Sequence, residues 1–499
     1  MRLGSQPETP LIKDGYNKRT IYILLILNMV WGVEALKGKK YPAKDHARRV
    51  FQNFVEKNPE KARGCAFFIS GDGVDMIKYC DQAKPFRQNR YFFYLSGCEV
   101  PGSHLFYDSN LDELTLYLPN IDWEDVMWSG MPLSITDAQA RFDVDNVVYV
   151  DELATKLDNF NIKHQIFILD FNEYNKPYHH YSPMAQDDDF FFALDESRVI
   201  KDDFEIEMMK HAAKITDLSH QAVMEATPIT HNEGHIHAEF TYHAMRQGSK
   251  NQSYDPVCCA GENGLTLHYV TNDQPTDGKH SVLIDAGAEW HCYASDVTRC
   301  FPINGTWTKE HLQIYNIVLK MQQKTMELMK PNQSWEYLHL LAHKILIEEF
   351  LKLGIFKSEF SINELFESKV SAKFFPHGLG HLLGLDTHDV GGYPNYEDKD
   401  PLLVYLRLRR TLLPGMVVTN EPGVYFSPNL LKGIMDGEFA KYINKDILDK
   451  YWYIGGVRIE DDILITEAGY ENFTKITSDP NEVEKIVQTG LNKKFHNVV

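Results

Sequence analysis

The stretch that most constrains this chain is PHGLGHLLGLDTHD, residues 376–389. It places three histidines, His377, His381 and His388, among three glycines. Glycines this close together disfavour a regular helix and let the backbone turn tightly. Histidine in such a turn can ligate a metal or move protons near neutral pH. Taken alone, the stretch is better interpreted as a histidine-bearing surface turn, so its meaning depends on acidic residues elsewhere in the chain.

Two aspartates lie in SVLIDAGAEWHCYASDVTRCF, each beside a strand-like apolar run. Asp285 ends one run and Asp296 precedes the next, symmetrically about Trp290 and His291. An antiparallel hairpin with its turn at those two residues would set the carboxylates opposite each other, with Cβ atoms about 4.5–5.5 Å apart. Like charges that close raise each other's pKa or require a cation. For either aspartate alone, an unrelated strand-end position is the alternative.

Two glutamates complete the set. Glu421 follows an apolar run in GMVVTNEPGVYF, and Glu460 lies in the alternating stretch GGVRIEDDILIT. A glutamate inside a β-rich segment is disfavoured unless it is paired or ligated. Four carboxylates and one imidazole form an oxygen-rich site that suits Mn²⁺, Co²⁺ or Zn²⁺. Through bridging carboxylates such a set can hold two ions about 3.5–4 Å apart, which activate a water and hold the carbonyl it attacks.

The ordered motifs IDAG, SDVTR, PHGLGH, NEPG and RIEDD resemble those of the metal-dependent pita-bread peptidases. Within that family the chain is similar to the Xaa-Pro aminopeptidase and prolidase group, and most of all to fungal-type Xaa-Pro aminopeptidases. The resemblance implies an α/β chain, in which a creatinase-like N-terminal α/β domain precedes a pita-bread (α+β) metallopeptidase domain. The expected division is an extension at 1–35, the first domain at 36–195, the catalytic domain at 196–485 and a tail at 486–499.

Carried over residue by residue, the resemblance implies a metal centre with two divalent ions, most closely Mn²⁺. Its ligands would be Asp285, Asp296, His381, Glu421 and Glu460. The second histidine of HGLGH is the ligand in the family, which selects His381 over its neighbour. Glu421 is also the general base that the family resemblance implies.

The resemblance also implies groups that handle the substrate. His388 and His268 are expected to steady the carbonyl or the tetrahedral intermediate, and His377 to line the pocket. Tyr254 precedes His268 and is a further candidate for substrate contact. Arg458 lies on the same predicted strand face as Glu460 and is expected to orient it, with a surface arginine as the alternative.

Arg407 bears on substrate length. In the dipeptidase branch of the family, an arginine matching it binds the carboxylate of a terminal proline, and a guanidinium fork suits a carboxylate. The alternative is that Arg407, Arg409 and Arg410 form a solvated basic strand edge.

Composition limits the partners and the compartment. The 499-residue chain carries a formal net charge of −19, which argues against binding to a nucleic-acid backbone. Small peptides are the expected partners, and a homodimer is the expected assembly. The seven cysteines are odd in number and show no CxxC spacing, which indicates neither a disulfide framework nor a zinc knuckle. This cysteine usage favours a reducing, cytoplasmic location.

The N-terminal apolar run at 21–30, preceded by Lys18 and Arg19, complicates that expectation. It is too short for a membrane span, so no stable span is expected. A basic segment before a short apolar core resembles a secretory signal, although Glu34 disrupts the small-residue cleavage pattern. A packed strand or helix of the extension is the alternative, and a secretory or membrane-associated form stays open.

Several local elements follow from pattern. A helix is predicted after Pro42, and strands are predicted at GCAFFISG, NRYFFYLSG, HLFYD and ELTLYLP. The acidic segment 186–203 is predicted to be a solvated linker before an amphipathic helix capped by Asp202 or Asp203. Two long helices are predicted at 309–329 and 334–352, TLHYV is expected to place His268 on or just after a strand, and 427–453 is read as a helical insertion.

Two arginines precede one of these predicted strands. In PFRQNRYFFYLSG, Arg87 and Arg90 have two interpretations, contact with substrate from a neighbouring subunit or a solvated corner.

Three functions compete with an Xaa-Pro aminopeptidase. A prolidase restricted to dipeptides differs only in substrate length. A metal-free pita-bread binding module is disfavoured because none of the five ligands is substituted. A methionine aminopeptidase shares the metal set, but family members of that type lack an N-terminal domain of this length.

Overall fold

The computed structural model describes residues 30–160, 165–170, 176–178, 184–431 and 437–492. Apart from Val30, the apolar run at 21–30 lies outside these residues, as do positions 1–20. Within the described ranges no helix is long and apolar enough to cross a membrane. All seven cysteines are described, and each is a free thiol.

The first domain is built on one six-stranded mixed sheet with strand order β4-β3-β2-β1-β5-β6. The strands are β1 (Ala66–Ser70), β2 (His104–Asp108), β3 (Glu113–Leu118), β4 (Asn146–Tyr149), β5 (Ile166–Phe167) and β6 (Met184–Ala185). The helices are α1 (Ala43–Lys57), α2 (Pro59–Ala62), α3 (Arg90–Ser96), α4 (Val126–Ser129), α5 (Ile135–Arg141) and α6 (Leu153–Asn159). β1 pairs antiparallel with β2 and parallel with β5.

Helix α1 confirms the prediction of a helix entered through Pro42. Ala43, Ala47, Val50 and Phe54 recur at helical spacing and are fully buried. They form the apolar face that packs into the core of this domain.

The predicted strand NRYFFYLSG is wrong, because residues 90–96 form helix α3. The Asn89 side chain accepts hydrogen bonds from the backbone N–H groups of Tyr91 and Phe92, which caps the helix at its start. Gly97 ends it in a left-handed conformation with φ 69°. A short apolar run fits a buried strand and a buried helix equally well, and here the cap decides.

The predicted solvated linker is also wrong, because most of it is helix α7 (Asp188–Val199). Asp187 caps this helix by accepting from the N–H groups of Asp189 and Phe190. The charge run therefore occupies a cap and a first turn, where acidic groups stabilise a helix. Phe190 and Leu194 are fully buried on its inner face. The predicted domain boundary at 195 falls inside this helix, and the exact bounds remain a prediction.

The second domain carries further helices and ten strands within its described residues, and residues 428–431 are helical as well. The helices are α8 (Asp203–Ala226), α9 (Glu233–Arg246), α10 (Lys309–Met326), α11 (Trp335–Leu353), α12 (Ile362–Glu367), α13 (Lys445–Leu448) and α14 (Pro480–Gly490). The strands are β7 (Val257–Ala260), β8 (Ser281–Asp285), β9 (Glu289–Trp290), β10 (Tyr293–Ala294), β11 (Thr298–Pro302), β12 (Val417–Asn420), β13 (Gly423–Tyr425), β14 (Gly456–Arg458), β15 (Asp461–Ile465) and β16 (Tyr470–Asn472).

These strands form small antiparallel sheets, ordered β11-β8-β7, β12-β15-β16 and β13-β14, with β9 and β10 as a hairpin. Helices α10 and α11 confirm the two long helices predicted and bury their apolar faces in one core with the strands. Helix α8 is capped by Asp202 in a capping box with Glu205. The described residues of the 427–453 segment include the short helix α13. Helix α14 continues through the predicted start of the tail at 486.

Candidate active site

The hairpin that carries the two aspartates has a different register from the one predicted. Asp285 pairs with Thr298, and Trp290 pairs with Tyr293. The turn therefore lies at His291 and Cys292, whose φ values are 44° and 68°. Two successive left-handed residues give the twist that suits a tight hairpin. The prediction that Asp285 and Asp296 stand directly opposite each other is thus wrong.

The two carboxylates nevertheless meet at one point. The Tyr254 hydroxyl lies within short hydrogen-bonding distance of Oδ1 of both Asp285 and Asp296. The backbone N–H of Asp296 donates to Asp462 Oδ1 at 3.1 Å. The convergence of the pair thus depends on a tyrosine and on a third aspartate rather than on strand pairing.

His381 faces the same point. Its Nε2 is 3.5 Å from Asp296 Oδ2 and 3.5 Å from Glu421 Oε1. Its Nδ1 is 3.0 Å from the carbonyl oxygen of Leu382. Because a carbonyl only accepts, Nδ1 carries the proton and the Nε2 lone pair is free to ligate, as in most metal-bound histidines.

The glutamates come from the second group of strands. Glu421 directly follows β12, and its Oε1 lies 3.3 Å from the hydroxyl of Thr419. Glu460 lies between β14 and β15 and accepts a hydrogen bond from Thr298 Oγ1 at 2.6 Å. One ligand atom from each of Asp296, His381 and Glu460 lies within 4.8 Å of the others. The predicted ligands therefore converge within the span of one metal centre.

The electrostatics of this cluster favour cations. Burial, reinforced by neighbouring carboxylates, raises the pKa of Asp296 and of Glu460 well above the ordinary range. Burial likewise raises the pKa of Glu421 to about 7. Arg458 donates from Nη2 to Asp285 Oδ2 at 2.5 Å. Among the described residues, it is the arginine that forms an ion pair with this cluster. Four carboxylates, of which Asp296 and Glu460 are buried, against one guanidinium leave a negative excess, so the residues present fit divalent metal ions.

Arg458 does not contact Glu460 directly, contrary to the prediction. Besides Asp285, it donates to the Tyr425 hydroxyl at 2.8 Å and to Thr298 Oγ1 at 3.0 Å. Thr298 then donates to Glu460. The threonine stands between them because Arg458 lies in β14 and Glu460 follows after that strand has ended.

Two other histidines of the glycine-rich stretch are neutral. His377 Nδ1 donates to the Gly378 carbonyl at 2.8 Å, and its Nε2 lies 2.9 Å from the Tyr425 hydroxyl. Burial lowers the pKa of His377 to about 3. The ring of His388 packs edge-to-face on His381 at 4.5 Å, and burial lowers the pKa of His388 to about 2. A neutral imidazole retains one N–H that can donate to a substrate oxygen.

A cavity of about 450 Å³ opens above the cluster. It is lined by every predicted site residue except Tyr254, which lies against the two aspartates instead. His268 reaches this cavity from a turn that follows a short 3₁₀ helix, so the prediction of a strand at TLHYV is wrong. The apolar and aromatic part of the wall consists of Leu265, Leu267, Pro376, Tyr396, Tyr405, Tyr425 and Leu430.

The three arginines of the 407–410 run have different surroundings. Arg409 forms ion pairs with Asp398 and Glu336, and Arg410 pairs with Glu196 on α7. Arg407 lines the cavity, where its Nη1 lies 3.3 Å from the Tyr396 hydroxyl. Among the described residues it has no acidic partner, so the solvated basic edge is not what the fold contains.

The solvated corner predicted for Arg87 and Arg90 is wrong, because both arginines are paired within the chain, while substrate contact from a neighbouring subunit stays a prediction. Each contacts Glu289 Oε2 through Nη2, the Arg90 contact at 2.6 Å. Arg87 also donates to the carbonyl of Gln252 at 2.9 Å. The two arginines therefore join the first domain to the second within one chain.

Sequence reasoning missed three residues that hold the site together. Tyr425 links His377 to Arg458, Thr298 links Arg458 to Glu460, and Asp462 holds the backbone of Asp296. Each lies within a few positions of a predicted ligand or within a quoted motif. Their polarity in otherwise apolar strands was the available signal.

Comparison with known proteins agrees with this geometry. The family model described as metallopeptidase family M24 matches residues 207–467, and that of the aminopeptidase P N-terminal domain matches residues 46–167. An uncharacterized peptidase of Saccharomyces cerevisiae is 51% identical over 93% of this chain and 88% of its own length. A probable Xaa-Pro aminopeptidase of Verticillium alfalfae is 44% identical over 91% of this chain and 98% of its own length.

Solved structures show the same fold. A histidine-to-alanine variant of Escherichia coli aminopeptidase P superposes with a TM-score of 0.75 at 29% identity, covering 91% of this chain and all of that one. Zinc-substituted E. coli aminopeptidase P in complex with product gives a TM-score of 0.74 at 29% identity, with the same coverage of both chains. The first domain and the pita-bread domain are thus both accounted for, and the chain belongs to metallopeptidase family M24.

Proposed function

We propose that this protein is an Xaa-Pro aminopeptidase, a metallo-exopeptidase that hydrolyses the bond between an N-terminal residue and a penultimate proline. The observation that carries the proposal is the cluster of four carboxylates and His381 that lines one cavity. The names of the relatives, probable Xaa-Pro aminopeptidases and aminopeptidase P, support the choice of reaction.

The proposed cofactor is a pair of divalent ions, with Mn²⁺ as the preferred metal. Asp285, Asp296, His381, Glu421 and Glu460 would hold them. When bound, such ions supply a Lewis acid for the scissile carbonyl and an activated water. The ligand set is rich in oxygen, which is the basis for proposing manganese over zinc.

The chain's own residues account for proton transfer and orientation. Glu421 lies in the cavity wall 3.5 Å from His381 and is the proposed acceptor of the proton from the attacking water. His388 and His268 line the same cavity and are the proposed donors to the carbonyl oxygen. The aromatic wall around Tyr396 and Tyr405 offers apolar surface for a proline ring, whose nitrogen has no N–H to donate.

Arg407 supports good activity on dipeptides. It faces the cavity without an acidic partner among the described residues, so the carboxylate of a short substrate can pair with it. The remaining question is whether longer peptides are excluded, which would define a prolidase. We propose that they are accepted and that dipeptides are among the good substrates.

The substrate proposal is tested by three peptides assayed with metal-loaded protein. An Xaa-Pro tripeptide is expected to be cleaved, its Xaa-Ala counterpart cleaved far more slowly, and a Met-Ala peptide likewise. Efficient cleavage of the Met-Ala peptide alone would identify a methionine aminopeptidase, and no cleavage with stoichiometric metal bound would contradict the proposal.

Substrate length is tested by kcat/KM for an Xaa-Pro dipeptide and the matching tripeptide, in wild type and in Arg407→Ala. The aminopeptidase proposal predicts values within about a hundredfold of each other, roughly 2.7 kcal/mol. A larger loss on lengthening that Arg407→Ala partly rescues would make the protein a prolidase.

The proposed assembly is a homodimer, and the proposed location is the cytoplasm. An apolar patch on the first domain supports association, because Trp123, Met127 and Trp128 are each more than 70% exposed. Light scattering is expected to give twice the chain mass for wild type and less for Trp128→Asp. A monomeric wild type at micromolar concentration would contradict the dimer.

A further inference from the structure

Helix α7 carries a buried arginine that is not part of the cavity wall. Arg198 is 2% exposed, and its Nη2 lies 2.6 Å from Asp386 Oδ2 and 2.6 Å from Asp389 Oδ1. Just beyond the helix, the Nζ of buried Lys201 lies 2.8 Å from Asp389 Oδ2. We refer to Arg198, Lys201, Asp386 and Asp389 as the loop clamp.

The loop clamp holds the segment that bears His388. The N–H of Asp389 donates to the Leu382 carbonyl at 2.9 Å, which closes residues 382–389 into one compact loop. At Gly384 a Cβ would lie only 2.1 Å from Asp389 Oδ2, so only glycine lets the carboxylate cross the loop. His381 directly precedes this loop and His388 lies within it, with their rings 4.5 Å apart.

The first domain supports the same helix. The guanidinium of Arg198 lies 4.9 Å from the ring of Tyr91, and the Tyr91 hydroxyl donates to Asp195 at 2.6 Å. Arg90, which pairs with Glu289, also lies 3.7 Å from Asp386. Residues of α3 thus contact both Arg198 and its partner Asp386.

The loop clamp is electrically complete. Its two carboxylates pair with its two cations at 2.6–2.8 Å, and Arg90 adds a third positive charge 3.7 Å from Asp386, whose side chain is 41% exposed. Although burial favours its neutral form, Lys201 and Arg198 hold the pKa of Asp389 below its ordinary value. Asp389 is therefore ionised at neutral pH and keeps its ion pairs with Arg198 and Lys201.

We propose that Arg198 is a positioning residue for the peptidase reaction: through Asp386 and Asp389 it fixes the loop that aims His388 at the substrate carbonyl. This inference rests on the proposed function, because His388 is a substrate donor only if the reaction is peptide hydrolysis. It also assigns a role to the first domain, whose Tyr91 contacts α7 at Asp195 and Arg198 and whose Arg90 lies beside Asp386.

The first test compares Arg198→Met, Arg198→Lys and a control, Arg49→Lys. Arg49 also contacts the end of α7, donating to the carbonyls of Ser197 and Ile200, but in the described chain it makes no hydrogen bond or ion pair with residues 386–389. Arg198→Met should lower kcat by about ten- to a hundredfold, the range found for groups that orient metal ligands. KM and bound metal should change little, Arg198→Lys should restore part of the rate, and Arg49→Lys should match wild type.

The decisive comparison repeats Arg198→Met in a His388→Ala background. If Arg198 acts through His388, the second substitution should cost less than about twofold there. Loss of the same factor in both backgrounds, or loss of bound metal, would overturn the proposal in favour of a purely structural role.

A readout without catalysis separates this inference from the proposed function. With ¹³C-labelled histidine, the ring signal of His388 is assigned by its absence in His388→Ala. It should shift in Arg198→Met and stay unchanged in Arg49→Lys. An unchanged signal in Arg198→Met would contradict positioning even in an active enzyme. A shifted signal in a protein that cleaves no Xaa-Pro peptide would instead reject the proposed function.

Discussion

Two clusters of carboxylates lie near the 382–389 loop, one beside His381 and one that includes Asp386 and Asp389 of the loop itself, and they differ in how their charge is balanced. In the active-site cluster, Asp285, Asp296, Glu421 and Glu460 face one arginine, Arg458. In the loop clamp, two aspartates face Arg198 and Lys201. The charge of the first cluster is balanced only when cations bind to it. The charge of the second cluster is balanced by side chains of the protein itself.

The difference separates a site for chemistry from a site for support. Buried carboxylates without enough counter-charge take up protons or metal ions. Buried carboxylates with matched cations stay ionised and fix geometry, and removing one partner leaves an uncompensated charge. Substituting an aspartate is therefore expected to change the stability of the protein in opposite directions in the two clusters.

The largest effect is expected when a carboxylate of the active-site cluster is removed. Asp296→Ala should lose metal and lower kcat/KM by at least about a thousandfold, roughly 4 kcal/mol of transition-state stabilisation. The metal-free variant should unfold at a temperature no lower than metal-free wild type, because one like charge has gone. His381→Ala should lose activity similarly. Kinetics, elemental analysis and thermal unfolding together check this, and wild-type turnover with two bound metals would make the ligand assignment wrong.

The matching substitution in the loop clamp should act on stability. Asp389→Ala leaves Lys201 and part of Arg198 buried without a counter-charge, which should cost about 3–5 kcal/mol of unfolding free energy. Denaturant unfolding of metal-free protein measures it, with Asp296→Ala beside it as the matched aspartate substitution. If both variants were destabilised equally, the two clusters would not differ as described.

A smaller effect should appear in the pH dependence of the metal-free protein. The pKa of Glu421 is about 7 in the fold, above the 4.5 of an ordinary glutamate. Between these values the folded state holds a proton that the unfolded state has released, so the unfolding free energy falls as pH rises. Thermal unfolding of EDTA-treated wild type should therefore lose more stability from pH 4.5 to 7 than Glu421→Gln does. Identical profiles for the two proteins would contradict the raised pKa.

The convergence of the five predicted ligands could be predicted from the sequence because they lie in short, ordered motifs. Each ligand sits at a strand end or in a glycine-rich turn, where local pattern already indicates a special residue. The hairpin register was wrong because a symmetric spacing does not fix the turn. The left-handed conformations of His291 and Cys292 place the turn one position later than predicted. The side chains of these two residues give no indication of such a conformation.

The loop clamp could not be predicted from local sequence patterns. Arg198 and Asp389 are 191 positions apart, and Arg198 lies in a stretch whose acidic run indicated a solvated linker. A charge run has the same composition whether it is solvated or caps a buried helix. Likewise, the pairing of Arg87 and Arg90 with Glu289 was not predicted, because Glu289 lies about 200 residues away in the sequence.

The central claim is that the excess negative charge of the active-site cluster is what makes this fold a peptidase. Its most direct test is a titration of EDTA-stripped protein with Mn²⁺, and separately with Zn²⁺, in which bound metal per chain and the rate of Xaa-Pro tripeptide hydrolysis are measured together. The account predicts no activity without metal, a rise to two ions per chain, and a rate with Mn²⁺ at least equal to that with Zn²⁺. Recovery with Zn²⁺ alone would contradict only the choice of manganese. Full hydrolysis by protein that holds less than about a tenth of an ion per chain would contradict the account itself.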